Sequence, residues 1–245
     1  MPLDPAKLKH FKFPSVDSTN SVGAELARGG VALASVRADI QTAGRTTKSD
    51  TVWESKPGDL FYTFVFKMPP ALEKHFSNLS LIAATAIVST LKSMDPSLDL
   101  GIKWPNDILL GGKKLAGILI EKEGDSAIVG IGINVKNFPD IKITKYPATS
   151  LAAAGFDTTP KDIAAILELE LIKLVNIWEN DGFGQILGLS REYLYRLGET
   201  VEIESLGSSY NGIFEGIANN GAIVINVDGT PREFLSGNLK VQLKW

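Results

Sequence analysis

The alternation of apolar and polar positions divides the chain into two unlike parts. Phe11 to Val16 alternates as a short strand and runs into Asp17-Ser18-Thr19-Asn20, cap-type residues ahead of Val22, Leu26 and Ala27, which predicts a helix start. Val31 to Ile40 and Leu60 to Phe66 are β-branched and aromatic and read as strands. Between them, Gln41 to Asp59 is a 19-residue polar stretch with Gly44 and Gly58, long enough inside a compact domain to be read as functional. Asn78 to Met94 is largely apolar, the pattern of a buried helix. Leu100 to Trp104, Ile108 to Leu110, Lys114 to Glu123 and Ala127 to Asn134 read as strands, with Gly111-Gly112 as a tight turn. Thr159 as cap and Pro160 at the first helical position open a helix whose Ile163, Ile166, Leu167, Leu171, Leu174 and Trp178 share one face.

After Gly198 the character changes. Val201 and Ile203 alternate with glutamates, Asn219-Asn220-Gly221 and Asp228-Gly229 predict hairpin turns, and Leu239, Val241 and Leu243 alternate toward the end. The expected class is α+β: a large domain over residues 1–197, then a small β-barrel over 198–245 that relies on the rest for stability.

Composition narrows the chemistry. The 245 residues include no Cys and two His, His10 and His75, so thiolate nucleophiles, disulfides and Cys-ligated metals are excluded. Neither His has a carboxylate or a second His at i+3 or i+4, and both are expected on the solvated surface. With 25 basic and 28 acidic residues the net charge is −3, which offers no cationic field for nucleic acid. The longest apolar stretch, Leu79 to Leu91, is too short to span a bilayer, and the start of the chain has no apolar signal core. The expectation is a cytoplasmic protein without a membrane partner.

Two stretches carry candidate chemistry. Lys103-Trp104-Pro105-Asn106-Asp107, with Lys114-Leu115-Ala116-Gly117-Ile118-Leu119 across a hairpin, sets an amide, a carboxylate and lysines at a strand end. Such a group can read a base edge, hold a cation or neutralise an anion; its bland counterpart is a turn with a solvated lysine. Gln41-Thr42-Ala43-Gly44-Arg45-Thr46-Thr47-Lys48, leading to Trp53, suits an anion or a stacked base, against the alternative of a mobile polar loop. Gly130-Ile131-Gly132-Ile133-Asn134 lacks the third glycine of a dinucleotide fingerprint and marks a strand that something approaches closely. Asp17-Ser18-Thr19-Asn20 is by default a cap, yet exposed hydroxyls and an amide there would also suit a polar ligand head.

In order along the chain, Asp-Ser-Thr-Asn, Gln-Thr-x-Gly-Arg, Trp-x-Ser-x-x-Gly, Lys-Trp-Pro-Asn-Asp, Lys-Leu-x-Gly-Ile-Leu and Gly-x-Gly-Ile-Asn resemble the biotin–protein ligase family. Each piece alone is weak, whereas the ordered set is specific and covers about residues 11 to 243. The resemblance implies a class II synthetase-like α+β catalytic domain plus an SH3-like barrel. It also implies activation of biotin with Mg²⁺ and ATP to biotinoyl-5′-AMP, and transfer to one lysine of a biotin carboxyl carrier domain. On the family's pattern, Ser18, Thr19, Asn20 and Gln41 would hold the biotin head, and Gly117 and Gly132 would leave room for its flat rings. Gly44 and Arg45 would open the loop over the adenylate, with Lys48, Trp53, Asn106 and Asn134 on the nucleotide. Lys103 and Lys114 would face phosphate and the biotin carboxylate, and Asp107 would orient a metal ion or the incoming lysine.

The loop departs from the family's Gly-Arg-Gly-Arg-x-Gly: Thr47 stands at the second Arg and both inner glycines are gone. Lys48 supplies only a displaced point charge where the family has a bidentate fork. The adenylate is therefore expected to form but to be held less tightly. Motifs that begin by Ser18 leave no room for an N-terminal DNA-binding domain, so no DNA partner is expected. A lipoate-type acyl ligase and a binder without ligase activity are the competing readings.

Overall fold

The computed structural model of the chain describes residues 2–47, 51–140 and 147–240. Strands β1 (Lys9–Val16), β2 (Leu33–Gln41), β3 (Leu60–Lys67), β4 (Leu100–Lys103), β5 (Asp107–Leu110), β6 (Lys113–Glu123) and β7 (Ser126–Ile133) form one sheet in the order β1-β2-β3-β7-β6-β5-β4. Only β1 and β2 pair in parallel, which requires a crossover, and helix α1 (Thr19–Arg28) supplies it. The helix begins where its cap residues predict, with Ser18 Oγ accepting from Asn20 N at 3.3 Å.

The period of two along β3 separates two faces. Tyr62, Phe64 and Phe66 enter the main core with helices α2 (Asn78–Met94) and α3 (Pro160–Asp181), whereas Val65 packs with Ala34, Ile128 and the α1 residues Leu26 and Ala27. Helix α2 has the bounds its apolar pattern predicts. On α3 the expected stripe is buried at Ile163, Leu167, Leu171, Leu174 and Trp178, with Ile166 half-buried. On this same face His10 is exposed, as expected, but it is not isolated. Its Nδ1 lies 3.0 Å from Ser35 Oγ and 3.5 Å from Glu168 Oε2 of α3. Burial pushes the Glu168 carboxyl above its usual pKa, with His10, Arg37 and a Ser35 hydrogen bond opposing the shift.

Strands β8 (Thr200–Ser205), β9 (Ser208–Ile217), β10 (Ile223–Val227), β11 (Thr230–Phe234) and β12 (Asn238–Lys240) form a second, antiparallel sheet in the order β11-β10-β9-β8-β12. Together the two sheets and their helices bear out the α+β class. The predicted Asp228-Gly229 turn has both residues left-handed, at φ 51° and 82°. The expected alternation at Val241 and Leu243 lies outside the described residues. A short helix, α4 (Phe183–Ser190), and the Leu206-Gly207 turn carry no clear sequence signal, the second because Leu rarely adopts the left-handed φ of 50° it has here.

The Asn219-Asn220-Gly221 turn does more than reverse the chain. Its three carbonyls accept from Asn78 Nδ2 (3.2 Å), Ser77 Oγ (3.4 Å) and Trp104 Nε1 (3.1 Å). Gly221 has φ 81°, and a Cβ on it would lie 2.6 Å from Asn78 Oδ1, so only glycine fits this close approach. The second sheet is thereby bolted to the start of α2 and to the indole that precedes Pro105, Asn106 and Asp107.

Candidate functional site

An open cleft of about 500 Å³, measured out to its mouth, lies on the α1 face of the large sheet. It is lined by the start of α1, the end of β2 with the loop after it, and the paired strands β6 and β7. Its floor is glycine. Gly117 and Gly132 face each other across β6 and β7, and the Trp53 indole lies over both. A Cβ on Gly132 would sit 2.6 Å from Trp53 Cε2, and one on Gly117 2.8 Å from Cζ3. The space over these two glycines, expected for a ligand's rings, thus holds an aromatic side chain of the protein itself.

The loop that carries Trp53 is tied back on itself. Arg45 and Val52 form an antiparallel bridge, Trp53 N donates to Gly44 O at 3.0 Å, and Gln41 N donates to Ser55 Oγ at 2.8 Å. A Cβ on Gly44 would meet Trp53 O at 2.7 Å, which is why glycine stands where the two arms run closest. Thr46 and Thr47 reach the cleft wall. Lys48, expected on the nucleotide, lies outside the described residues.

One end of the cleft is a neutral hydrogen-bonding network. Ser18, Thr19 and Asn20 are buried, not exposed as the cap pattern alone suggests. The Gln41 amide oxygen accepts from Thr19 N at 2.8 Å and from the Thr19 hydroxyl at 3.1 Å, so Gln41 presents its Nε2 donors. Thr63, buried on β3, lies 2.8 Å from the Thr19 hydroxyl and 2.6 Å from Asn20 Oδ1. Asn20 Nδ2 donates to Leu119 O (3.3 Å) and Glu121 Oε2 (2.7 Å), so most of its capacity is spent inside the protein. Its carboxamide lies against Gly130, where a Cβ would come within 2.3 Å of Oδ1. Thr63 and Glu121 have no motif to announce them, and the glycine motif at Gly130 does not name Asn20 as the group that approaches it. Only the strand pairing, which sets Thr63 beside Gly130 and Gly130 beside Leu119, brings them to Asn20.

The other end is charged. Lys114 Nζ stands 2.6 Å from Asp107 Oδ1 and 5.7 Å from the centre of a Trp53 ring. Buried Lys103 lies 3.7 Å from the second oxygen of Asp107. Asn106 is fixed by a two-way exchange with Ile118, giving Nδ2 to its carbonyl at 2.9 Å while Ile118 N donates to Asn106 O at 2.9 Å. Arg45 stands apart from these lysines, beside the Asn20 network, where it donates to Ser21 Oγ (2.8 Å) and to Glu121 Oε2 (2.7 Å).

Two expected contacts take a different form. Asn134 is buried and gives its amide to Thr149 O at 3.0 Å, anchoring the segment beside Lys114, and it does not line the cleft. Asp107, with a lysine at each oxygen, offers no vacant carboxylate to a metal. Glu121 is likewise engaged by Arg45 and Asn20, and the described residues contain no cluster of three metal-ligating side chains. The described residues thus build no all-protein cage for Mg²⁺, an ion that in nucleotide sites takes one or two carboxylates together with substrate phosphates and water.

The cleft therefore joins a neutral donor and acceptor pocket to a cationic mouth across a flat floor, an arrangement suited to a small polar-headed acid meeting a phosphate ester. The sequence model of the "Biotin/lipoate A/B protein ligase family" matches residues 15–137. A biotin–[acetyl-CoA-carboxylase] ligase of Paracoccus denitrificans is 32% identical over 219 residues, covering 85% of this chain and 90% of that protein. The bifunctional ligase/repressor BirA of Bacillus subtilis is 30% identical over 239 residues, covering 92% of this chain and 72% of that one. Among solved structures, a biotin protein ligase from Aquifex aeolicus in complex with biotin and ATP has a TM-score of 0.82 at 26% identity, covering 95% of this chain and 97% of that one.

Proposed function

The chain belongs to the biotin/lipoate A/B protein ligase family, and on that premise we propose that it is an ATP-dependent biotin–[acetyl-CoA-carboxylase] ligase. The observation that carries the reading to this cleft is the junction of Ser18, Thr19 and Gln41 with Arg45 and Lys114 over one floor. A carboxylate oxygen of biotin attacks the α-phosphorus of ATP, pyrophosphate leaves, and biotinoyl-5′-AMP results. The ε-amine of a lysine on a biotin carboxyl carrier domain then attacks the acyl carbonyl, AMP leaves, and the amine loses a proton.

The residues divide this work by charge. Gln41 Nε2 and the hydroxyls of Ser18 and Thr19 pair with the ureido head, and an acid that lacks matching groups leaves them unsatisfied. Lys114 and Arg45, with Lys103 behind Asp107, offset the repulsion between carboxylate and phosphate as it develops. Asp107 aligns the two lysines in the first step. When Lys114 turns to the anionic product, Asp107 Oδ1 is released to accept from the incoming amine. Trp53 gives the nucleotide a flat face and Asn106 a polar edge. Mg²⁺ brought with ATP would be held largely by the nucleotide's own oxygens and would offset part of the phosphate charge.

The proposal includes a division at Gly198, with residues 1–197 catalytic and 198–245 a small SH3-like barrel. Among the described residues no helix is long and apolar enough to cross a membrane, and an ATP-supplied reaction in the cytoplasm belongs to the same reading. Biotin-dependent exchange of labelled pyrophosphate into ATP, followed by label transfer to an apo carrier domain, tests it. Exchange driven by lipoate and not biotin overturns the substrate, and biotin binding without exchange overturns the activity.

A further inference from the structure

Glu121 is assigned to nothing by the sequence motifs, yet it ties the buried Asn20 network to Arg45 of the cleft loop. Its Oε2 accepts from Asn20 Nδ2 and from Arg45 Nη2, both at 2.7 Å. The second contact is an ion pair whose side chains are 43% and 37% exposed, a setting in which free side chains gain little from pairing. Neither partner is free here. Asn20 is buried and fixed by Thr63, by Leu119 O and by the surface of Gly130, and it presents its Nδ2 to the carboxylate. Arg45 is held from the other side by Ser21 Oγ at 2.8 Å and by the Arg45–Val52 bridge of its own loop. The rotamer freedom that weakens a surface pair has thus already been removed by neighbouring contacts.

We propose that Glu121 is a positioning residue for the adenylation step: anchored by Asn20, its carboxylate holds the Arg45 guanidinium at the cleft mouth. A guanidinium has five N–H donors, and the contacts to Ser21 and Glu121 leave donors for an anion. The loop has Thr47 where the family pattern has a second arginine, so fixing Arg45 matters more in this chain. The inference rests on the ligase reading of the cleft. A preorganised donor acts on the transition state without first reorganising, so its loss is read in kcat more than in KM.

The test is the biotin-dependent pyrophosphate exchange of the full chain carrying Glu121→Gln, Arg45→Ala, or both. Glu121→Gln keeps a hydrogen-bond acceptor of the same shape and removes only the charge. It is expected to lower kcat for exchange about tenfold, the scale of one charge-assisted contact, with little change in KM for biotin. In the Arg45→Ala background the same substitution is expected to have no further effect, because the carboxylate acts through the guanidinium. A merely structural Glu121 would give equal losses in both backgrounds, which overturns the inference. So does a Glu121→Gln enzyme that is as fast as, or faster than, the parent, since Glu121 would then be idle or a competitor for Arg45. Absence of biotin-dependent exchange in the unaltered protein is a different result, and refutes the ligase reading itself.

Discussion

Substituting Gly132 by alanine probes the floor of the cleft directly. The new Cβ would stand 2.6, 2.7 and 2.9 Å from Cε2, Cζ2 and Nε1 of Trp53. Ordinary carbon contacts lie at about 3.5–4.0 Å, so the indole must rise by about 1 Å. The sheet cannot retreat, because Gly132 is paired with Phe61 on one side and Gly117 on the other. The loop can, since it is held near Trp53 mainly by the hydrogen bond to Gly44 O and the Arg45–Val52 bridge. Overpacking a fixed core costs about 1–3 kcal/mol, and a yielding loop places this change at the lower end. A loss of about 1 kcal/mol in a chain of this length moves Tm by only about 2–4 °C. A displacement of about 1 Å within a reacting geometry is worth about 100-fold in rate. Gly132→Ala should therefore lower kcat/KM for biotin-dependent exchange about 100-fold while Tm hardly moves. Adding Trp53→Ala removes the clash, so the double variant should be no slower than Trp53→Ala alone. A Gly132→Ala enzyme with unchanged kcat/KM, or a double variant whose losses multiply, would refute the reasoning.

Other expectations are open to equally direct measurement. Trp104→Phe strips the donor from Gly221 O and removes part of the indole's packing, and should lower stability in urea by at least about 1–2 kcal/mol; no change would mean the bolt between the sheets carries no load. Asp59 is buried, and its Oδ1 accepts from the backbone N–H groups of Val135, Lys136 and Asn137, each at 2.9 Å, so Asp59→Ala should cost about 3 kcal/mol and speed hydrogen exchange at those amides. The raised pKa of Glu168 means the native state holds its proton to higher pH than the unfolded chain does. Its contribution is thus favourable below the ordinary carboxyl range and lost as pH rises through the elevated value. The stability of Glu168→Gln relative to the parent should accordingly grow in thermal melts as pH rises above the ordinary carboxyl range, and a gap independent of pH contradicts the assignment. Thr47→Arg restores a charge-assisted contact of about 1.5–3 kcal/mol, and release of biotinoyl-AMP should slow at least tenfold; equal release rates would show that the loop retains the adenylate without it.

What the sequence disclosed followed from periodicity and local chemistry. Helix α2 and the turns at Gly111-Gly112 and Asp228-Gly229 stand where hydrophobic runs and paired turn residues place them. The cap at Ser18 was legible for the same reason, since capping is decided within three residues. Contacts set by strand pairing were not legible. Thr63 and Glu121 lie 43 and 101 residues from Asn20, and nothing local marks either as its partner. The Gly-x-Gly of β7 does mark a place of close approach, as its pattern predicts. Sequence could not say that the approaching group is Trp53, because that depends on how the loop folds back through Gly44. Asp107 shows the reverse difficulty. Its motif is conspicuous, but its pairing with two lysines depends on a hairpin register visible only in three dimensions.

The position of Trp53 gives the protein a built-in optical probe. Trp104 and Trp178 are 5% and 2% exposed and sit in the shared core, whereas Trp53 is half-buried on the cleft floor with an ammonium group beside it. With Trp245 replaced by phenylalanine, emission from the core indoles should form a constant background. Changes in intensity or wavelength would then report events over the two glycines. Mixing that variant with biotin, ATP or both in a stopped-flow fluorimeter would order the binding events in time without attaching any label to the protein.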